Sequence, residues 1–338
     1  MRLPLGPLAA LLLAASLLLA LGTGPGDIGV GEALGSIGDH LRHLLGLGPA
    51  PAGLRDAIVW ELRLPRSLLA ALVGAALASA GVLTQGLFRN PLADPGVLGV
   101  SAGAALAAVL GFMLGLEQHG LWVTPLLAAA GAGLVLVILL GLNRAQQGLA
   151  TLLLSGFALG TLCGAIATLC LALGAQRWDL GIRVMQWSLG NFEGRTWVHL
   201  GWALPPCTLG LALAAWLRRD LDTLHLGHET AASLGVDLVR LRRKTVLAVG
   251  LLVGAATALT GVIGFVGLLV PHLARMAGGP GHRRLLPRAA ALGAVLVVLV
   301  DTLARGFTGV LLPPGVLTSL LGAPLFLWLL RRRGLGER

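Results

Sequence analysis

Charge is scarce in this chain: 12% of its 338 residues are Asp, Glu, Lys or Arg, about half the share found in soluble domains. With 56% hydrophobic residues and a mean hydropathy of +0.86, that shortage excludes the soluble globular classes. Lysine is scarcer still. The one lysine, Lys244, follows Arg243, so no Gly-Lys-Ser/Thr loop can cradle a nucleotide phosphate, and any ATPase motor must act in trans. The three cysteines, Cys163, Cys170 and Cys207, stand in apolar runs without CxxC or Cys/His spacing, which reads as small core hydrophobes and not as metal ligands or a disulfide. No convergent set of nucleophile, base or metal ligands marks a membrane enzyme. No catalytic residue, metal site or cofactor is therefore assigned.

What the chain has in quantity is apolar runs long enough to cross a bilayer, which takes about 20 residues each. They fall at about 3–21, 64–84, 92–112, 121–141, 149–173, 197–217, 245–261, 263–277, 287–306 and 314–330. The expected fold class is thus all-α, a polytopic membrane protein of about ten transmembrane helices forming one domain over residues 1–338. The first run follows Arg2 and ends in small residues, Ala20 and Gly22, so a cleaved signal peptide is the alternative reading; its length suffices to span, and it is counted as the first helix. Residues 23–62 are glycine-rich and carry Asp27, Glu32, Asp39, Asp56 and Glu61, which predicts an aqueous loop. Fifty glycines suit a bundle in which helices approach closely.

The net charge of +10 would point to nucleic acid in a soluble protein; here it reports topology. With the N-terminus inside, 17 of the 25 Arg and Lys residues face the cytoplasm against six of the 15 acids (Asp94, Asp220, Asp222, Glu229, Asp237 and Glu337). The basic side includes Arg2, Arg144, the run Arg240, Arg242, Arg243 and Lys244, and Arg338. Both termini are expected in the cytoplasm. Residues 218–244 form the longest cytoplasmic connection and read as two short helices broken at Gly227 and Gly235. Leu224, Leu226, Ala231, Ala232, Leu234 and Val236 put apolar groups there with no membrane to cover them, the mark of a docking surface.

Two stretches mix proline and glycine into membrane-length runs. The first is RLPR (Arg63 to Arg66), followed by QGLFRNPLADPGVLGVSAGAAL (Gln85 to Leu106). The second is GVIGFVGLLVPHLAR (Gly261 to Arg275), GGPGHRRLLP (Gly278 to Pro287), DTLAR (Asp301 to Arg305) and PGVLTSLLGAP (Pro314 to Pro324). Irregular backbone at membrane depth usually lines a cavity or is buried in protein. His272 and Arg275 are ionisable groups in such a run, but their place at the inner end of the eighth helix favours packing for His272. A gradient-driven secondary transporter would put acids near the midplane of broken helices; Asp301, the nearest candidate, lies toward an outer end.

From about residue 60 onward these blocks, in this order, resemble the permease subunits of ABC importers for iron chelates and vitamin B12: iron-siderophore, ferric-dicitrate, haem and cobalamin systems. The resemblance implies a type II ABC importer permease fold in the cell inner membrane. It also implies a homodimer or pseudodimer with an axial pathway, a cytoplasmic ABC ATPase subunit that binds the ATP, and a periplasmic or lipid-anchored substrate-binding protein. Membrane lipid surrounds the assembly, and no nucleic acid takes part. On it, Arg63, Arg66 and Arg305 match positions that receive acids of the binding protein. Residues 221–236 match the coupling helices, with Leu224, Leu226, Gly227, Glu229, Thr230, Ala231, Leu234 and Gly235 at the ATPase.

The cytoplasmic gate matches Asn90, Leu92, Leu149 and Ala150. Leu149 and Ala150 are apolar where relatives can carry hydroxyls, so a constriction there could close by dewetting. Ser155, Gly156 and Leu159 match pathway-lining positions, with Trp187 to Phe192 on the outer side. The turn LLPPG, Leu311 to Gly315, departs from relatives that carry an acid before the proline. Because pathways of this family grip a large chelate weakly, an iron chelate is the expected cargo only as the broader group, with cobalamin as the alternative.

Overall fold

The computed structural model describes residues 5–24, 26–142, 148–174, 178–306 and 312–334, all-helical with turns between. Arg2, Arg144, Glu337 and Arg338 of the charge count, and Leu311 of the outer turn, lie outside the described residues. The ten apolar runs correspond one to one with α1 (Leu5–Gly22), α4 (Leu64–Leu87), α5 (Val100–Met113), α6 (Val123–Leu142), α7 (Leu149–Leu173), α9 (Trp197–Leu224), α11 (Leu238–Thr260), α12 (Val266–Gly278), α13 (His282–Gly306) and α14 (Pro314–Gly334). Six helices are long and apolar enough to cross a membrane by themselves; α1, α5 and α14 are shorter apolar helices, and α12 has 13 residues.

Four helices depart from the sequence expectation. Residues 23–62 are not one loop. They hold α2 (Val30–Leu44), whose first turn is fixed by Glu32 Oε2 accepting from Gly29 N at 3.0 Å and which buries Ala33 and Ser36. The tail of that stretch is α3 (Leu54–Ala57), continuous through a π-helical turn, Ile58–Arg63, into α4. The glycines hid α2, because its polar face and weak propensity read as loop. Between α7 and α9, α8 (Trp178–Ser188) sits where only a connecting segment was expected. At the opposite end of the bundle α9 runs on to Leu224 because Leu217, Leu221 and Leu224 are buried, so only one short helix, α10 (His228–Ser233), stands between φ +122° at Gly227 and φ +86° at Gly235.

The core is organised around α4, which packs on α9, α11, α12 and α13. Close approach is achieved through glycine. A Cβ on Gly74 would land on the carbonyl of Gly293 in α13, and one on Gly81 would land on the carbonyl of Gly267 in α12. Lipid tails offer no hydrophobic drive between helices, so such backbone-level packing supplies the cohesion. α5 and α6 form a second close pair beside it, and α7 lies along α5.

Candidate functional site

The turn after α4, at the end of the bundle that also carries α10, is built from its own short side chains. Arg89 adopts φ +50°, a conformation that usually persists only where surrounding structure enforces it. Asn90 Oδ1 then accepts from Leu92 N at 2.9 Å and Asp94 Oδ1 from Gly96 N at 2.7 Å. Burial pushes the Asp94 carboxyl up, against the opposing pull of the Gly96 bond. Pro95–Leu98 make one 3₁₀ turn, and Gly99 at φ +75° starts α5. Gly99 also needs to lack a side chain, since a Cβ there would meet the carbonyl of Gly156 in α7.

This turn is fastened to α12 by Gln85, whose Nε2 donates to the carbonyls of Gly267 and Leu268 at 3.3 and 3.2 Å and whose Oε1 accepts from Arg275. His272 is buried within α12 at 3% exposure. Asn90 and Leu92 are exposed, Leu149 half-buried and Ala150 exposed at the start of α7. Of the pathway positions, Ser155 and Leu159 are half-buried, whereas Gly156 is packed against the backbone of Val97 and Leu98. Gly156 therefore serves as a contact between α7 and the turn.

The coupling segment divides by face. Leu224 and Ala231 are buried at 1% and 0%, while Leu226 and Leu234 are exposed at 66% and 62% beside exposed Glu229 and Thr230. A pair that the sequence concealed seats the segment. Asp222 Oδ1 accepts from both the backbone N and Nδ1 of His282, at 2.8 and 2.7 Å. These residues are 60 apart in sequence, so no local spacing signals their meeting. The His225 ring lies 5.2 Å from that of His282, and burial with the Arg275 charge lowers the His225 pKa. Asp237 caps α11 by accepting from Val239 N and Arg240 N at 3.1 and 3.0 Å.

At the other end of the bundle, Arg66 and Arg305 converge on Asp301, which is fully buried. Arg66 donates from Nε at 3.1 Å to both carboxylate oxygens and from Nη2 at 2.7 Å; Arg305 Nη2 lies 3.2 Å from the same carboxylate. Bidentate geometry of this kind is the strong form of the pair. Arg305 also reaches the carbonyls of Ala20 and Thr23 at 3.3 and 3.5 Å. Arg63, at 4% exposure, donates to Leu21 O, Ile28 O and Gly24 O at 2.6, 3.3 and 3.0 Å. The carbonyl end of α1 carries partial negative charge, so Arg63 straps the α1 terminus to α4. Arg66 and Arg305 are also largely covered, their side chains 19% and 9% exposed.

The segment Trp187 to Phe192 is stitched between two helix ends: Asn191 N donates to Thr260 O at 2.8 Å and Gly315 N to Gly190 O at 3.2 Å. Beside it lies a mostly apolar recess of about 560 Å³ between Leu189, Val262, Val316, Ser319, Leu320 and Pro324. Leu154, Phe157, Leu162, Leu169 and Leu173 are exposed on α7. Among the described residues no group of three His, Cys, Asp or Glu could hold a metal ion.

Comparison with known proteins follows this geometry. The FecCD transport family profile matches residues 12–332. The vitamin B12 import system permease protein of Yersinia enterocolitica is 45% identical over 279 residues, covering 81% of this chain and 82% of that protein. The proteins of the same description from Shigella sonnei and Salmonella typhi are 42% and 41% identical, covering 82% and 81% of this chain and 85% and 84% of theirs. Among solved structures, a metal-chelate type ABC transporter in an inward-facing conformation matches with a TM-score of 0.82 and 30% identity, over 96% of this chain and 97% of that one.

Proposed function

This chain belongs to the FecCD transport family, and we propose that within it the chain carries vitamin B12 into the cytoplasm. It is a permease of an ABC importer of this type, a multi-pass protein of the bacterial inner membrane, and permeases of this kind are not themselves enzymes. The cargo reading rests on one observation: the curated relatives at 41–45% identity over four fifths of the chain are described as vitamin B12 permeases. An iron chelate is the second reading, favoured by the metal-chelate description of the structural relative at 30% identity. Uptake of labelled cyanocobalamin, a ferric siderophore and haem into cells lacking their own permeases, supplied with this chain and its partner ATPase and binding protein, tests the choice. Saturable uptake of cobalamin alone is expected. Uptake of a ferric siderophore or haem without cobalamin would overturn the reading.

In the proposed cycle both termini lie in the cytoplasm and two copies surround the pathway, residues 1–338 of each acting as one domain. The open face of α7 and the recess beside α14 supply surface for the second copy. Leu226, Glu229, Thr230 and Leu234 project to the ATPase, with Leu224, Gly227, Ala231 and Gly235 setting the shape of that segment. Asp222 and Gln85 transmit its movement through α13 and α12 to the turn at Asn90 and Leu92, which gates the pathway with Leu149 and Ala150. Ser155 and Leu159 border the pathway. Outside, acids of the binding protein meet Arg66 and Arg305, so docking competes with Asp301, while Arg63 holds the α1 terminus in place. Charged pairs at such a rim orient the encounter more than they add affinity.

A further inference from the structure

The segment after α8 borders a small open pocket of mixed polar and apolar lining that the transport reading leaves unused. Its volume is about 210 Å³, room for several waters at ~30 Å³ each, and Phe112, Arg183, Gln186, Trp187, Asn191, Arg195 and Thr260 line it. Three nitrogen donors in this lining are buried without a hydrogen-bond acceptor among the described residues: Arg195 Nε, Arg183 Nε and the indole Nε1 of Trp187. Trp187 is only 8% exposed. An unmet buried donor costs about 1–3 kcal/mol; Arg183 has the Glu117 carboxylate beside it, itself buried without a hydrogen bond, so the shortage of acceptors lies at Arg195 Nε and Trp187 Nε1.

Both carboxylates near the pocket are paired with one of its two cations. Arg183 is neutralised by Glu117 at 2.9 Å and by Asp179. Arg195 makes no ion pair among the described residues, although Glu193, two positions away, is exposed. Burial pushes the Arg195 pKa down to about 10, which leaves the guanidinium charged at neutral pH and poorly solvated. Two acceptors beside Arg195 are already used: Asn191 Oδ1 accepts from Glu193 N at 3.3 Å, and Thr260 O accepts from Asn191 N at 2.8 Å. The pocket backs onto the recess of Leu189 and Val262, since Trp187 lines the one and Ser188 the other.

We propose that this pocket receives one oxyanion group, a carboxylate or phosphate, from the outer side, with the Arg195 guanidinium supplying the charge and the Trp187 indole N–H a second donor. A planar guanidinium suits either oxyanion, and an uncompensated one gains most from it. The group belongs either to the cargo, as in the phosphodiester of cobalamin, or to free phosphate; the first source rests on the vitamin B12 reading and the second does not.

The experiment uses the assembled transporter in lipid nanodiscs, melted in inorganic phosphate and in chloride at equal ionic strength. The ATPase responds to phosphate equally in both variants, so the difference between wild type and R195Q isolates the pocket. R195Q is expected to lose about 2 °C or more of the phosphate-dependent rise in Tm and to melt no lower than wild type in chloride; R195K keeps part of the rise. An identical phosphate response in wild type and R195Q, or an R195Q variant that melts lower in chloride, would overturn the proposal. Cobalamin uptake separates the sources. A fall of about tenfold in R195Q, the scale of a lost charge-assisted hydrogen bond, assigns the cargo's phosphodiester, and unchanged uptake with the altered melting assigns the free anion. Wild type that takes up no cobalamin would refute the cargo reading while leaving the melting comparison intact.

Discussion

Two helices of equal hydropathy have opposite fates in this molecule. The apolar windows of the α4 span and of α7 both average 2.0, yet 78% of the first is buried inside the protein and 17% of the second. Hydropathy reports that a segment prefers a bilayer to water and says nothing of whether its neighbours are helices or lipid. What separates the two is where small residues fall. On α4 they allow backbone contact with α12 and α13 at Gly81 and Gly74. On α7 the buried residues are Leu152, Gly156, Cys163 and Cys170, one stripe packed on α5 and the turn before it, while the bulky side chains elsewhere remain open. The subunit is therefore finished around α4 and unfinished around α7.

The sharpest way to break that contrast is to enlarge a glycine on the finished side. Gly81→Leu would drive a side chain into the Gly267 carbonyl, and because neither backbone can give way the expected loss is about 3 kcal/mol or more, seen as failure to recover a monodisperse protein. The same bulk at Gly164 of α7, where a Cβ meets nothing within 4 Å, should be tolerated. Equal damage at both positions would end the distinction. Next in size is Asp301→Asn, which leaves Arg66 and Arg305 sharing a covered site without their anion. Removing one partner of a buried pair costs about 3 kcal/mol, so a lowered Tm is expected, with recovery in the triple variant R66M/D301L/R305M, which removes both cations that share the carboxylate. A triple variant no more stable than D301N would show that Asp301 acts otherwise than by balancing Arg66 and Arg305.

The contrast also explains what could be read in advance. Ten apolar runs gave the spans because composition is local, and the RLPR, NPLADPG and PHLAR blocks carried a resemblance because their order along the chain is local as well. α2 escaped notice since glycines mask its helical period, and α8 because it is short and polar. The pairing of Arg66 with Asp301 joins residues 235 apart and that of Asp222 with His282 residues 60 apart; each exists only after the bundle has packed. For the same reason the RLPR arginines were legible as a block, but that Arg63 spends its donors on the carbonyls of Leu21, Gly24 and Ile28 was not. Burial was the property the sequence concealed, as it was for α4 and α7.

The unfinished side yields smaller effects on stability and larger ones on assembly. Phe157→Ala on α7 removes a side chain that is 69% exposed, so the Tm of the isolated subunit should move by no more than about 0.5 kcal/mol equivalent. If a second copy covers this face, a Leu162→Cys variant, in a background with the three native cysteines changed to Ser, should form a disulfide-linked dimer under mild oxidation. A lipid-facing α7 gives none. The smallest stability change belongs to the cytoplasmic open surface. Leu234, 62% exposed on the segment that carries α10, touches little within the chain, and Leu234→Ser should leave melting unaltered while lowering the ATPase stimulation produced by the loaded binding protein. Its partner in the comparison is Ala231, buried at 0%, where Ala231→Leu should disturb melting and coupling together. If the two variants behaved alike, the segment would present no outward face, and the ATPase would have to be engaged elsewhere.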